Sequence, residues 1–332
     1  MSNNEVLVTI GLPVFNGEAT IQRALGALRN QTYENLEIII GDNASDDRTE
    51  ELCQLFEESE PRCTYVRSSV NRGVTENFSE LFRRSSGSLF MWTAADDELD
   101  PLFVESGVEY LRANPPVVLV VPRVHGFVPW LTEPVYTVEA NGLGRDIRGF
   151  RRVMRSYTRL PMTSIYGIFR SEVLRASRLM GPLVATDVAF MQEIALRGPI
   201  ETNPSQVLNY HNRERWNTSA DDRKVFRGGR ERRVPGGAAF GLVADRVSRV
   251  WSLDGGSIRR VAMVGLILAL EVRRIAFKVL TRISGRFLSV AWHSRWVVSA
   301  YWRFLHPEGD LDVYDRDVFV DRFVLPRFGG NR

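Results

Sequence analysis

Two adjacent carboxylates, Asp96 and Asp97, stand just behind the apolar run Leu89-Phe90-Met91-Trp92, in the stretch Trp92-Thr93-Ala94-Ala95-Asp96-Asp97-Glu98-Leu99-Asp100-Pro101. A short apolar run ending in polar residues reads as a buried strand. The carboxylates then lie at its carboxyl end, the edge where α/β sheets bind ligands. Hard oxygen donors there suit Mg²⁺ or Mn²⁺ bridging to the phosphates of a nucleotide. The same residues also make an ordinary turn that ends a strand and caps the next helix, and the pair alone does not choose between these readings. Three further polar clusters bear on the choice: Pro13-Val14-Phe15-Asn16-Gly17-Glu18, Gly41-Asp42-Asn43-Ala44-Ser45-Asp46-Asp47 and Asn71-Arg72-Gly73-Val74-Thr75-Glu76-Asn77.

Each cluster follows a β-rich run. Val6–Leu12, Leu36–Gly41, Tyr65–Arg67 and Leu89–Trp92 read as strands, with helices expected over about Ala19–Gln31, Thr49–Glu58, Thr75–Arg84 and Pro101–Asn114. In the first helix Ile21, Leu25 and Leu28 fall at i, i+4, i+7, and in the last Pro101 occupies the first turn, where its missing N–H costs nothing. Strand alternating with helix predicts an α/β fold with a largely parallel, Rossmann-like sheet. In such a sheet all four polar loops lie on one side, so Asp42, Asn71, Asn77 and Asp96 line a single crevice. Any one loop is unremarkable alone; four in register argue for a binding site.

Val117–Val121 continues the pattern as a fully apolar strand, which then weakens from Arg123 to Leu160, where one hairpin is expected. Regular structure returns with a strand over Ile165–Arg170, helices over Ser171–Leu179 and Thr186–Arg197, and a strand over Val207–His211. The Gly-rich, charged stretch Asp221–Gly237 reads as a linker, dividing a domain of residues 1–220 from a mainly helical region of residues 221–332.

The ordered set Pro13–Glu18, Asp42–Asp47, Asn71–Asn77 and Ala94–Pro101 resembles the family 2 inverting glycosyltransferases with the nucleotide-sugar-binding A fold, over about residues 6–215. The resemblance implies that Pro13, Phe15, Asn16, Glu18, Asp42 and Asn43 surround the nucleobase and ribose. Asn71, Gly73 and Asn77 close over the nucleotide, Ala95, Asp96, Asp97 and Arg213 also line the nucleotide-sugar site, and Asp96 binds the divalent metal, Mn²⁺ or Mg²⁺, on the diphosphate. Many members have Asp-Ala-Asp-Asp where this chain has Ala94-Ala95-Asp96-Asp97, so Asp96 remains as metal ligand without the first carboxylate. Either Asp97 or another group shares the metal. His211 is one candidate, because a family histidine sometimes ligates from the corresponding later loop; otherwise His211 is a solvent-facing strand end.

Within Pro182–Phe190, Asp187 matches the family's catalytic carboxylate at the start of a helix. A helix N-terminus also favours a carboxylate for purely structural reasons. The implied reaction is transfer of a sugar from a nucleoside-diphosphate sugar, uridine being the family default, to a hydroxyl of a glycan or lipid-linked acceptor. Asp187 is the base, and Arg213 and Arg215 add charge stabilisation. Two other classes remain. A sugar nucleotidyltransferase would need a glycine-rich basic loop where Asn16-Gly17-Glu18 stands, and a catalytically silent nucleotide-sugar-binding or scaffold protein would be compatible with Ala94.

Composition narrows the setting. The 332 residues are 44% hydrophobic and 25% charged, ordinary for a folded soluble protein. The amino terminus has neither a basic segment nor an apolar signal core, and Cys53 and Cys63 form no CxxC or Cys/His cluster; a reducing, cytoplasmic location is expected. The net charge of +3 conceals an asymmetry: residues 1–222 hold 22 Lys+Arg against 30 Asp+Glu, whereas residues 223–305 hold 17 against 4. Lys224 and Lys278 are the only lysines, so arginine identity by itself carries no phosphate-binding inference. Residues 257–305 read as Arg-studded helices interleaved with apolar runs and with Trp292, Trp296, Tyr301, Trp302 and Phe304. The longest uncharged stretch, Val261–Leu270, is too short to span a bilayer. Such helices suit the surface of an anionic membrane at the inner leaflet, or they pack on the catalytic domain or a second subunit. Nucleic acid is not expected as a partner, since no recognised motif accompanies the charge.

Overall fold

The computed structural model describes residues 6–127, 132–134, 136–139, 143–147, 151–152, 155–156, 162–181, 186–211, 237–253, 260–270 and 272. In chain order the elements are β1 (Val8–Val14), α1 (Ile21–Arg29), β2 (Leu36–Asp42), α2 (Thr49–Ser59), β3 (Cys63–Arg67), α3 (Val74–Arg84), β4 (Leu89–Trp92), β5 (Glu98–Leu99), α4 (Phe103–Ala113), β6 (Leu119–Phe127) and β7 (Tyr136–Val138). A 3₁₀ turn (Met162–Tyr166), β8 (Ile168–Arg170), α5 (Ser171–Ala176), α6 (Thr186–Arg197), β9 (Ile200–His211) and α7 (Gly237–Trp251) follow. The strands form one sheet in the order β3-β2-β1-β4-β8-β6-β9-β5, with β7 paired to β6. The β3-β2-β1-β4 half is parallel. Beyond β4 the sheet is mixed: β8 runs antiparallel to both neighbours, β9 is parallel to β6, and β5 is antiparallel to β9.

Side-chain alternation, period two along a strand, sorts the core into two layers. Val8, Ile10, Leu12, Ile38, Ile40, Leu89 and Met91 face one way, onto α1 and α4. Ile39, Phe90, Trp92, Leu119 and Val121 face the other, onto α3, α5 and α6. Burial on both faces explains why these strands read as unbroken apolar runs. Trp92 anchors the second layer: fully buried, it meets Phe90, Phe169 and Phe190 edge to face and donates its indole N–H to Phe78 O at 2.9 Å. The residues just after it therefore start from a fixed point.

The parallel half follows the sequence expectation closely; the second half departs from it in three places. The strand expected over Ile165–Arg170 is instead a 3₁₀ turn leading to a three-residue strand. At the join a Cβ on Gly167 would lie 2.3 Å from Val120 O, so only glycine lets the chain pass β6. The helix expected to run to Leu179 stops at Ala176, because Ser177 turns extended at φ −87°, ψ 166°, and Leu179 then takes a left-handed φ of 53°. The strand expected at Val207 starts at Ile200, its polar first half hidden by a register shift opposite Pro122 and Arg123. The hairpin expected within Arg123–Leu160 is β6–β7, with Val124 opposite Val138. Most of residues 221–237 and of 257–305 lies outside the described residues; residues 260–270 are helical and, with α7, bury Met263 and Ile267 against Val250 and Leu253. No helix among the described residues is long and apolar enough to cross a membrane.

Candidate active site

The loops after β1 and β2 are laced together. Asn16 N donates to Ser45 Oγ at 2.9 Å and Gly17 N to Thr49 Oγ1 at 2.8 Å, while Asp46 N donates to Asn16 Oδ1 at 3.0 Å. Glu18 N reaches Asp47 Oδ2 at 3.1 Å, and Arg48 N reaches Glu18 Oε2 at 2.8 Å. Asn16 and Ala44 hold left-handed φ values of 50° and 64°; asparagine tolerates that region, whereas alanine pays about 1–2 kcal/mol for it. Such outliers collect where surrounding structure over-determines a loop.

The third loop is tied to the second through asparagines. Asn43, buried, donates through Nδ2 to Asn71 Oδ1 at 2.9 Å and accepts at Oδ1 from Arg72 N at 2.8 Å. Gly73 N also donates to Asn71 Oδ1, at 2.8 Å. Gly73 has a φ of 87° as it opens α3, a conformation glycine adopts freely. Asn77 is buried and donates to Gly41 O at 2.7 Å, pinning α3 to the end of β2.

Asp42, which the resemblance places against the base or ribose, is enclosed in this structure. It is 0% exposed, and its oxygens are taken up within the protein. Oδ1 accepts from Ser45 N at 2.9 Å and Ser45 Oγ at 2.6 Å, Oδ2 accepts from Tyr65 Oη at 2.7 Å, and Arg67 Nε lies 3.6 Å away. In this structure Asp42 shapes the loop that presents Asn43 and Ser45. Pro13 and Phe15 are half-buried at the end of β1. Gly17 brings that loop close to the carboxylate segment: its Cβ would lie 3.8 Å from the Ala95 Cβ.

The carboxylate segment is held by residues far away in sequence. Asp97 is buried and accepts at Oδ1 from His211 N at 3.1 Å, a contact made because β5 pairs with β9, placing Glu98 opposite Asn209. Arg23, on α1, donates to the main-chain carbonyl of Asp96. His211 stacks on Phe127, its partner in β6, and its Nε2 lies 3.8 Å from Glu98 Oε2. Burial, and then the Arg23 cation, lower the His211 pKa against the opposing Glu98 and Asp96 carboxylates. That direction favours the neutral imidazole, the form that can ligate a cation, and the buried Nε2 has no hydrogen-bond partner.

These donors suit the implied metal in kind: two half-buried carboxylates, Asp96 and Glu98, and an imidazole nitrogen without a hydrogen bond. Among the described residues no three His, Cys, Asp or Glu side chains already surround one point, so a cation would have to draw them together.

Asp187 lies at the start of α6, half-buried, with Val188 N donating to its Oδ1 at 2.9 Å. Burial raises its pKa against the opposing backbone hydrogen bonds, which moves a carboxylate toward usefulness as a base. Burial, and then the charge of Asp97, hold the Tyr166 hydroxyl well above the ordinary tyrosine value. Tyr166, Arg23 and Glu98 went unnoticed as site residues in the sequence, because nothing local marks them: each arrives by long-range pairing. Arg213 and Arg215 lie outside the described residues.

The model described as "Glycosyl transferase family 2" matches residues 9–175, half of the chain. The chain belongs to this family. An uncharacterized glycosyltransferase of Haemophilus influenzae is 31% identical over 108 residues, which cover 32% of this chain and 33% of that relative. The chain spans about a third, or less, of the length of such curated relatives. Among solved structures, S. aureus TarS 1-349 in complex with UDP-GlcNAc superposes with a TM-score of 0.57 at 13% identity, covering 79% of this chain and 71% of that one. Mannosyltransferase PcManGT from Pyrobaculum calidifontis, in complex with GDP-Man and Mn²⁺, gives 0.51 at 17% identity, covering 92% and 89%. At these identities the likeness is one of fold, and it is the A-type fold that the family resemblance implies.

Proposed function

We propose that this family 2 member is an inverting, metal-assisted transferase that moves a sugar from a nucleoside-diphosphate sugar to a hydroxyl of a glycan or lipid-linked acceptor. The observation that carries this reading is the set of polar loops after β1, β2, β3 and β4, which the fold brings to one edge of the sheet and ties together through the Asn16–Ser45, Asn43–Asn71 and Asp97–His211 hydrogen bonds. A single displacement needs a site for the leaving diphosphate at that edge and one base, the role proposed for Asp187. Asp187 takes the proton from the acceptor hydroxyl as its oxygen bonds to the anomeric carbon. The bond from that carbon to the diphosphate oxygen breaks on the opposite face, and its electron pair leaves with the nucleoside diphosphate. Asp96, with Asp97, Glu98 and His211 around it, would hold Mn²⁺ or Mg²⁺, which supplies Lewis-acid compensation for charge on the leaving diphosphate. Asn43, Asn71 and Gly73 form the rim over which the nucleoside lies; Asp42 acts behind them. Uridine is the favoured base, and the nucleotide sugars bound by the two structural neighbours, UDP-GlcNAc and GDP-Man, support a nucleotide-sugar donor.

Incubating the full chain and Mn²⁺ with a panel of labelled nucleotide sugars tests the reading: transfer or slow hydrolysis of at least one donor is expected. Binding of a nucleotide sugar with no turnover of any donor and acceptor offered would favour a silent binding protein, to which Ala94 lends some support.

The acceptor setting is a separate part of the proposal. On the helical residues 260–270 and just beyond, Val261, Leu268 and Val272 are 58%, 43% and 66% exposed at i, i+7, i+11 spacing, and Trp251 is 46% exposed. In sequence, Arg259 and Arg260 precede these residues and Arg273 and Arg274 follow them. Apolar contact bordered by cations fits a peripheral position on an anionic membrane at the cytoplasmic leaflet. Salt-sensitive co-sedimentation with anionic vesicles is expected. Indifference to such vesicles at low salt, with a dimer in solution, would assign the stripe to a second copy of the chain.

A further inference from the structure

The helix that carries Asp187 contains a charge that its proposed role does not explain. Glu193 is 1% exposed, on a helix whose Ala189, Phe190, Met191, Ile194 and Ala195 are also buried. A buried carboxylate survives only with compensating partners, and those of Glu193 come from three directions. Arg197, one turn on, donates to Oε1 through Nη2 at 2.7 Å. Arg178 N, in the loop that leads toward α6, lies 3.3 Å from both carboxylate oxygens. Arg249 of α7, only 2% exposed, donates through Nη1 to Oε2 at 2.7 Å, and its Nε donates to Asp245 at 2.8 Å.

A network of this kind is a poor source of stability, since apolar residues of similar volume commonly hold such sites as well or better. What it supplies is direction. Two charge-assisted contacts and one to a main-chain amide allow a single placement of the helix, whereas an apolar contact would tolerate sliding. The loop it holds is itself constrained: Leu179 is left-handed at φ 53°, and Met180 O accepts from Ser79 Oγ of α3 at 3.2 Å.

We propose that Glu193 and Arg249 are positioning residues: the clamp between α6 and α7 sets the place of Asp187 against the bound donor. The proposal rests on the reading of Asp187 as base. It also makes α7 part of the catalytic unit, although the sequence suggests a boundary near residue 220.

The test compares kcat, donor KM and calorimetric nucleotide affinity in the full chain with those of Arg249→Met, Arg249→Lys and the double variant Glu193→Met/Arg249→Met. Arg249→Met is expected to lower kcat by on the order of 10- to 100-fold, the cost of a displacement near 1 Å, with nucleotide affinity unchanged. Arg249→Lys, which keeps the charge, should recover part of the loss. The double variant removes the buried carboxylate and the buried guanidinium together and leaves only the partly exposed Arg197 and Asp245 side chains without these partners; it should fold and still turn over slowly, and it decides the matter alone should Arg249→Met fail to fold. Wild-type kcat in the double variant, no recovery with lysine, or a loss shared equally by nucleotide affinity would overturn the proposal. Asp187→Asn is measured alongside. If it retains turnover the base reading fails; if it is inactive while the clamp variants work normally, the clamp alone fails.

Discussion

The two halves of the crevice are built on different principles. The donor half, at the ends of β1, β2 and β3, is fastened by short links between neighbouring loops: asparagine side chains, hydroxyls and main-chain amides that fix one another before any ligand arrives. The reacting half is assembled from distant pieces. Asp97 is held by His211 N, Asp96 by Arg23, and Asp187 by a helix steadied from α7. A cradle fixed in advance suits the nucleotide of the proposed donor, whereas the proposed chemistry depends on contacts between segments far apart in the chain.

The largest expected effect falls on the reacting half. Asp187→Asn should lower turnover by on the order of 10²-fold or more and leave nucleotide-sugar affinity intact. A variant that loses affinity, or melts early, would make Asp187 a helix cap and the halves less separate than described. The same residue fixes a pH signature. Its raised pKa means the native state binds a proton that the unfolded chain has released, so this group's contribution to stability is lost as pH rises through the native value. Activity runs the opposite way, because the base must be ionised. The acidic limb of kcat should therefore lie above the ordinary aspartate range; a limb at or below it would remove Asp187 from the role.

Smaller effects belong to the donor half. Asp42→Ala should weaken nucleotide binding by about 1–3 kcal/mol, the cost of losing charged hydrogen bonds. Because Asp42 is enclosed by Ser45, Tyr65 and Arg67, thermal stability should fall together with affinity. An affinity loss without any change in melting temperature would mean that the carboxylate turns out to meet the ligand directly. Gly73→Ala should cost about 1–3 kcal/mol, because φ 87° with ψ 158° is backbone essentially reserved for glycine, read as a drop in nucleotide affinity by calorimetry. A neutral result would show that the Asn71–Gly73 turn is free to rearrange.

The contrast also explains what could be read from sequence. The donor half announces itself because its first two loops directly follow strands buried on both faces, so the apolar runs Val6–Leu12 and Leu36–Gly41 end in visible polar clusters. The pairing of Asp97 with His211 spans 114 residues and depends on a two-residue strand, β5, that no periodicity reveals. Tyr166 looked like part of a strand because Gly167 gives no hint that it passes under Val120. Asp42 was legible as a site residue but not as an enclosed one, since enclosure depends on Tyr65 and Arg67 from the neighbouring strand.

The claim that the two halves meet at a metal is tested most directly by titrating UDP into the wild-type chain and into Asp96→Asn, each with and without Mn²⁺. Mn²⁺ should raise wild-type affinity by roughly ten-fold or more, about 1.4 kcal/mol, and the gain should vanish in Asp96→Asn while metal-free affinity is preserved. A wild-type affinity indifferent to Mn²⁺, or a full gain retained by Asp96→Asn, would contradict the account.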